Sequence, residues 1–92
     1  MGDKHPDTAL SHNNVGIAYA LLKDYPKAIK HLQEALTINI STVGYYKEST
    51  LKWFKNLSDV YEQNGDLEKS NDNRMQANKI SEKLFGQNKQ KF

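Results

Sequence analysis

The chain has no cysteine, so neither a disulfide framework nor a Cys-based metal site is available to it. It also lacks any long apolar run. The longest, Ile17-Ala18-Tyr19-Ala20-Leu21-Leu22, is far short of a membrane span. The opening residues Gly2-Asp3-Lys4-His5-Pro6 are polar, with no apolar stretch at once behind them, so no secretory leader is read there. A reducing, cytoplasmic setting is the expectation. Charge of one sign is scarce too: thirteen basic residues against eleven acidic ones leave a net charge of +2, and only Arg74 is arginine. Nucleic-acid grooves need a basic stripe interleaved with stacking residues. Here Glu34, Glu48, Asp59, Glu62 and Asp66 interrupt any such stripe. Neither a nucleic acid nor a membrane is therefore expected as a partner.

Apolar side chains are themselves few, 37% of 92 residues, with 26% charged. That is lean for one enclosed core and suits an elongated array whose helices stay partly wet. Chemistry-bearing residues are sparse. His5, His12 and His31 sit in no nucleophile-and-base context, and no glycine-rich phosphate loop occurs. His12 and His31 fall on adjacent helices and could meet, but a pair without a third ligand makes a poor metal site. No enzyme activity, cofactor or metal is expected. Two glycosylation sequons, at Asn39 and Asn56, both fall in segments read as helix, which makes them chance matches.

What the chain does have is an internal repeat. Gly2, Gly44 and Gly86 recur at an interval of 42 residues. The same offset lays Thr8 on Thr50, Asn14 on Asn56, Tyr19 on Tyr61, Asp24 on Asp66, Ala35 on Ala77 and Ile38 on Ile80. The reading is two units, about 2–43 and 44–85, with a tail 86–92 that opens a third.

Within a unit the apolar spacing is helical. Ala9, His12, Val15, Ala18, Tyr19 and Leu22 follow three- and four-residue steps and are placed on the inner face of a first helix, capped by Asp3 or His5 with Pro6 in its first turn. Asp24 caps a second helix carrying Ala28, Ile29, Leu32, Ala35, Leu36, Ile40 and Val43, stopped by Gly44. Leu51, Phe54, Leu57, Val60 and Tyr61 mark a third helix that ends near Asn64-Gly65. Asp66 opens a fourth, through Ala77, Ile80 and Leu84. Gly16 and Ala28 are suited to a close helix crossing, with Tyr19, Leu32 and Ala35 filling around it. Trp53 lies off the core stripe, and either packs against the preceding helix or stands out as a binding anchor.

The run from His5 to Tyr19, with Asp24-Tyr25-Pro26-Lys27-Ala28-Ile29 and Gln33-Glu34-Ala35-Leu36-Thr37-Ile38, resembles the tetratricopeptide repeat in its 42-residue form, as found in kinesin light chains. The resemblance implies an all-α superhelix of tandem antiparallel helix pairs, a solenoid fragment of two repeats and four helices. It also implies a protein or peptide partner held on the concave face, in the manner of a scaffold or adaptor. Carried onto this sequence, the partner-binding positions are Leu10, Asn13, Asn14, Ile17 and Leu21 of the first helix. On the third they are Lys52, Lys55, Asn56, Asp59 and Gln63. Asn14 and Asn56 match an Asn of the family pattern; each either holds a peptide backbone or orders the stack. Lys52 and Lys55 either favour an acidic peptide or form a solvated face. Asn13 and Ile17 replace the Lys and Asn with which some members grip a chaperone's C-terminal carboxylate.

The chain also departs from the pattern. Lys23 stands where a turn glycine is usual, and Ser58, Ser70 and Arg74 replace Gly16, Ala28 and Leu32 in the second unit. The second pair is thus either a wettable terminal cap or a loosely packed repeat. Two repeats are few for stability, so a segment of a longer solenoid, or a homo-oligomer through exposed repeat ends, is the alternative function.

Overall fold

The computed structural model describes residues 5–86. Gly2, Asp3 and the tail past Gly86, which figured in the repeat and cap assignments, lie outside the described residues. Four helices succeed one another: α1 Pro6–Leu21, α2 Tyr25–Thr42, α3 Glu48–Gln63 and α4 Leu67–Phe85. No strand occurs among the described residues.

The helix ends follow from their local chemistry. His5, in extended backbone, accepts the Asp7 amide on Nδ1 at 3.0 Å, and Pro6 takes the first helical position, where its missing N–H costs nothing. Asp24 and Asp66 cap α2 and α4 in the same way. Their carboxylates accept the amides of Lys27 at 3.4 Å and Lys69 at 3.1 Å, each satisfying an orphan donor of the first turn. The hairpin turns also match. Lys23 (φ 65°) and Gly65 (φ 86°) are left-handed. The next amide then reaches back to Tyr19 O or Tyr61 O, at 2.9 Å in both. Gly44, φ 120°, stops α2 as expected, whereas Gly86 stays right-handed at φ −64°.

α1 packs on α2, α3 on α4, and α2 on α3, while α1 and α3 scarcely touch. The result is a slab of 44 × 34 × 17 Å. Its main core joins Leu32, Ala35, Leu36 and Ile38 of α2 to Trp53, Leu57, Val60 and Tyr61 of α3. Trp53 is therefore a packing residue. A smaller cluster, Leu51, Ala77 and Ile80, with Tyr45 and Phe54 against it, closes the second hairpin.

The close crossing of α1 and α2 lies at Gly16. A Cβ there would stand 2.7 Å from Leu32 Cγ and 3.1 Å from the Ala28 carbonyl. In the second hairpin Ser58 and Ser70 take those places and are buried. Ser58 Oγ donates to Ser70 O at 2.9 Å and lies 3.1 Å from Ser70 Oγ. Two hydroxyls thus join the helices where the first hairpin uses bare backbone, and the polar substitutions leave no loose joint at this crossing.

Three placements differ from the sequence reading. The buried face of α1 is Ala9, Asn13 and Gly16, with His12, Tyr19 and Ala20 half-buried at its edge. Val15, Ala18 and Leu22 point outward instead, with Val15 41% and Leu22 76% exposed. The close crossing at Gly16 decides this: bringing the glycine against Leu32 turns the apolar stripe away. On α2, Ile38 and Asn39 are buried, and Ile40 and Val43 are exposed. Asn39 turns inward because its amide donates to Ser49 Oγ and Thr50 Oγ1, both at 2.9 Å. Thr50 in turn donates to Gly44 O at 2.8 Å. These bonds fix the start of α3, which has no side-chain cap of its own at Lys47. Leu84, expected inside, is also exposed.

Two phenols complete the seams. Tyr61 accepts from Gln33 Nε2 at 2.8 Å, and Tyr45 donates to Gln76 Oε1. Burial, then the charge of Asp66, raises the Tyr61 pKa; burial, then Tyr46, raises that of Tyr45.

Lys23→Gly is expected to raise stability by about 0.5–1 kcal/mol. It relieves a left-handed strain of roughly 1–2 kcal/mol, less the extra chain entropy of glycine; urea unfolding reads the difference. Gly16→Ala is expected to lose about 1–2 kcal/mol, overpacking against Leu32 outweighing the roughly 0.5–1 kcal/mol that Ala gains in an open helix. An unchanged urea midpoint would refute the close crossing. Since folding raises both phenol pKa values, the stability these two groups contribute is intact below about pH 10 and is lost as pH rises through the raised values. Tyr61→Phe should therefore flatten the fall in urea midpoint between about pH 9 and about pH 11.

Candidate functional site

Because α1 packs chiefly on α2 and α3 chiefly on α4 while α1 and α3 scarcely touch, an open cleft of about 220 Å³ remains between α1 and α3. Its floor is apolar: Leu32 of α2 and Val60 of α3, with Ala20 at the edge. Ile17 and Leu21 of α1 form one lip. They are 38% and 80% exposed, a large apolar area left to water. The opposite lip is polar, with Asn56, Asp59 and Gln63 of α3.

Of the residues carried over from the sequence, this cleft gathers Ile17, Leu21, Asn56, Asp59 and Gln63. Leu10 and Asn14 are exposed on α1, and helical spacing sets them on the face of Ile17 and Leu21. Asn13 is corrected. It is only 4% exposed, one turn ahead of Gly16, and its Oδ1 accepts from Asn56 Nδ2 at 3.4 Å. The pair ties α1 to α3 where the two helices hardly meet otherwise, so one amide of the cleft already has a partner. Lys52 is exposed and does not line the cleft, and Lys55 turns to a neighbouring recess of about 250 Å³ with Ser58, Asp59, Arg74 and Asn78. The charge at the cleft is therefore that of Asp59, which has no ion-pair partner among the described residues. Leu32 and Val60 serve the cleft as well as the core. Helical periodicity cannot reveal this, since it assigns a residue to a face without saying where that face ends.

His12 and His31 do meet. Their Nδ1 atoms are 3.1 Å apart and the ring centroids 5.4 Å, so the nitrogens point head-on and one proton can bridge them. Tyr19 stacks on His31 at 5.6 Å, and the Lys27 ammonium lies 5.6 Å from the Tyr19 centroid. This is an aromatic column joining α1 to α2, half-buried and fully engaged. Among the described residues no three His, Cys, Asp or Glu side chains group as metal ligands, and no helix is long and apolar enough to cross a membrane.

Comparison with known proteins agrees with this architecture. Residues 7–83 match the family model described as tetratricopeptide repeat. A stretch of 51 residues, 55% of this chain, is 37% identical to the Clustered mitochondria protein homolog of Culex quinquefasciatus, of which it spans 4%. With paired helices, matched turns and a family model running over most of its length, the chain belongs to the tetratricopeptide repeat family.

Proposed function

We propose that this chain is a binding module of scaffold or adaptor type, taking an extended segment of a partner protein along the cleft between α1 and α3. Tetratricopeptide repeats mediate protein–protein interaction, and the absence of cysteine fits a cytoplasmic setting. The observation that carries the reading is the exposure of Leu21 and Ile17 beside a floor of Leu32 and Val60. A side chain laid there would cover apolar surface that the fold leaves wet. Asn14 and Gln63 offer amides to a peptide backbone along the same track, beside Asn56, whose Nδ2 already bonds Asn13. The preferred ligand carries a bulky aliphatic or aromatic side chain next to a basic one, which Asp59 attracts. Lys52, one end of α3 away from Asp59, favours an acidic residue further along.

Fluorescence polarisation tests this with labelled extended peptides holding a leucine beside a lysine, set against the same peptides with glutamate for lysine. The lysine series is expected to bind more tightly. Leu21→Glu, at a site too exposed to affect folding, is expected to weaken it about tenfold or more, the worth of one buried aliphatic contact. Asp59→Lys is expected to reverse the preference, and Asn14→Ala to weaken both series. Equal binding of both series, or binding indifferent to Leu21→Glu, would overturn the proposal.

A further inference from the structure

The two hairpins turn through the same left-handed backbone but with different residues. Leu22-Lys23 serves the first turn and Asn64-Gly65 the second, and of nine asparagines only Asn64 is followed by glycine. That pairing carries chemistry of its own. The backbone nitrogen after an asparagine can attack the side-chain carbonyl carbon, and glycine, having no side chain, hinders the approach least. Nothing would lie within 4 Å even of a Cβ added to Gly65, and Asn64 is exposed, so water reaches the site. The closed turn nevertheless blocks the step. The ring that forms needs the Gly65 nitrogen near the plane of Asn64 Cβ, Cα and C. Asn64 has ψ −2°, which eclipses that nitrogen with Asn64's own and leaves it roughly 120° round the Cα–C bond from Cβ. The Gly65 N–H is engaged as well, donating to Glu62 O at 3.0 Å, and the Asp66 N–H donates to Tyr61 O at 2.9 Å.

We propose that Asn64 is a self-modification site, held unreactive by the closed α3–α4 turn and released when the second hairpin opens. In the open chain the Gly65 nitrogen bonds to Asn64 Cγ. The side-chain nitrogen leaves as ammonia, taking the proton of the Gly65 amide, and a cyclic imide remains. Water then opens the ring. Cleavage between Cγ and the nitrogen gives aspartate. Cleavage between the main-chain carbonyl of residue 64 and the nitrogen gives isoaspartate, in which the chain runs through Cβ and Cγ. No co-reactant besides water is required. The iso linkage lengthens the main chain by a carbon, so the Gly65 and Asp66 amides no longer both reach Glu62 O and Tyr61 O. Asp66 also caps α4, accepting the Lys69 amide at 3.1 Å, so its displacement unties the start of that helix. An opening of the hairpin is thereby recorded covalently, and the product does not close as before. Asn64 does not line the cleft of Ile17, Leu21 and Asp59, so the inference stands apart from peptide binding.

The test incubates the full chain in mildly alkaline buffer, both folded and in urea that unfolds it, and follows each asparagine by peptide mapping and mass spectrometry. Isoaspartate is expected at Asn64 ahead of every other asparagine, forming about tenfold or more faster in urea than in the folded chain. Tenfold protection corresponds to about 1.4 kcal/mol of opening free energy. Asp66→Ala, which removes the α4 cap and leaves the reacting residues in place, is expected to speed the reaction in native buffer and to leave the rate in urea unchanged. Should that variant not fold, the parent in urea below its unfolding midpoint takes its place. There the rate should climb with denaturant, in step with hydrogen exchange of the Gly65 amide. Asn64→Gln, whose ring would be larger and slower to close, should stay intact throughout. Equal rates in the folded and unfolded chain, or no product at Asn64 in urea, defeat the inference. So does a folded Asp66→Ala chain that reacts no faster than the parent.

Discussion

The contact between α2 and α3 turns two hairpins into one body, and the rest of the molecule depends on it. The outer helix of each hairpin buries few large apolar side chains. α1 buries only Ala9, Asn13 and Gly16, and the buried residues of α4 are Ser70, Ala77 and Ile80. Leu32 and Leu36 meet Trp53 and Leu57 across the seam, and there the large side chains collect. Since hydrophobic stabilisation scales with apolar area removed from water, a fold with its volume concentrated in one seam is held together or lost there.

The seam's geometry also makes the cleft. α1 and α3 both lean on α2 rather than on each other, so a channel stays open between them over Leu32 and Val60. The Asn13–Asn56 bond joins α1 to α3 beside the channel. Polar side chains perform similar positioning work elsewhere: Asn39 holds the start of α3, Ser58 and Ser70 join α3 to α4, and Gln33 steadies Tyr61. Among the described residues no buried side-chain polar atom is left without a partner, as a chain with so little apolar volume requires.

The stacking of His12, His31 and Tyr19 belongs to the same economy of means. A hairpin short of large aliphatic residues fills its outer joint with flat rings, and a single proton between two nitrogens orients them. The two imidazoles face each other across the joint of α1 and α2.

The sequence alone determined the number of helices, their pairing and their ends. These are properties of local chemistry repeated at a fixed interval: Asp24 and Asp66 as caps, Gly44 and Gly65 where backbone must turn left-handed, aliphatic steps of three and four between them. It also marked Gly16 as a crossing. Only the tertiary structure decided which flank of α1 faces inward. Val15, Ala18 and Leu22 form the greasier stripe, yet Ala9, Asn13 and Gly16 are buried, because a helix with two usable flanks is oriented by closeness of approach and not by hydropathy. Asn13 and Lys55 left the expected groove for the same reason: rotation about a helix axis is set by what the neighbouring helix can admit, and that is a property of the pair.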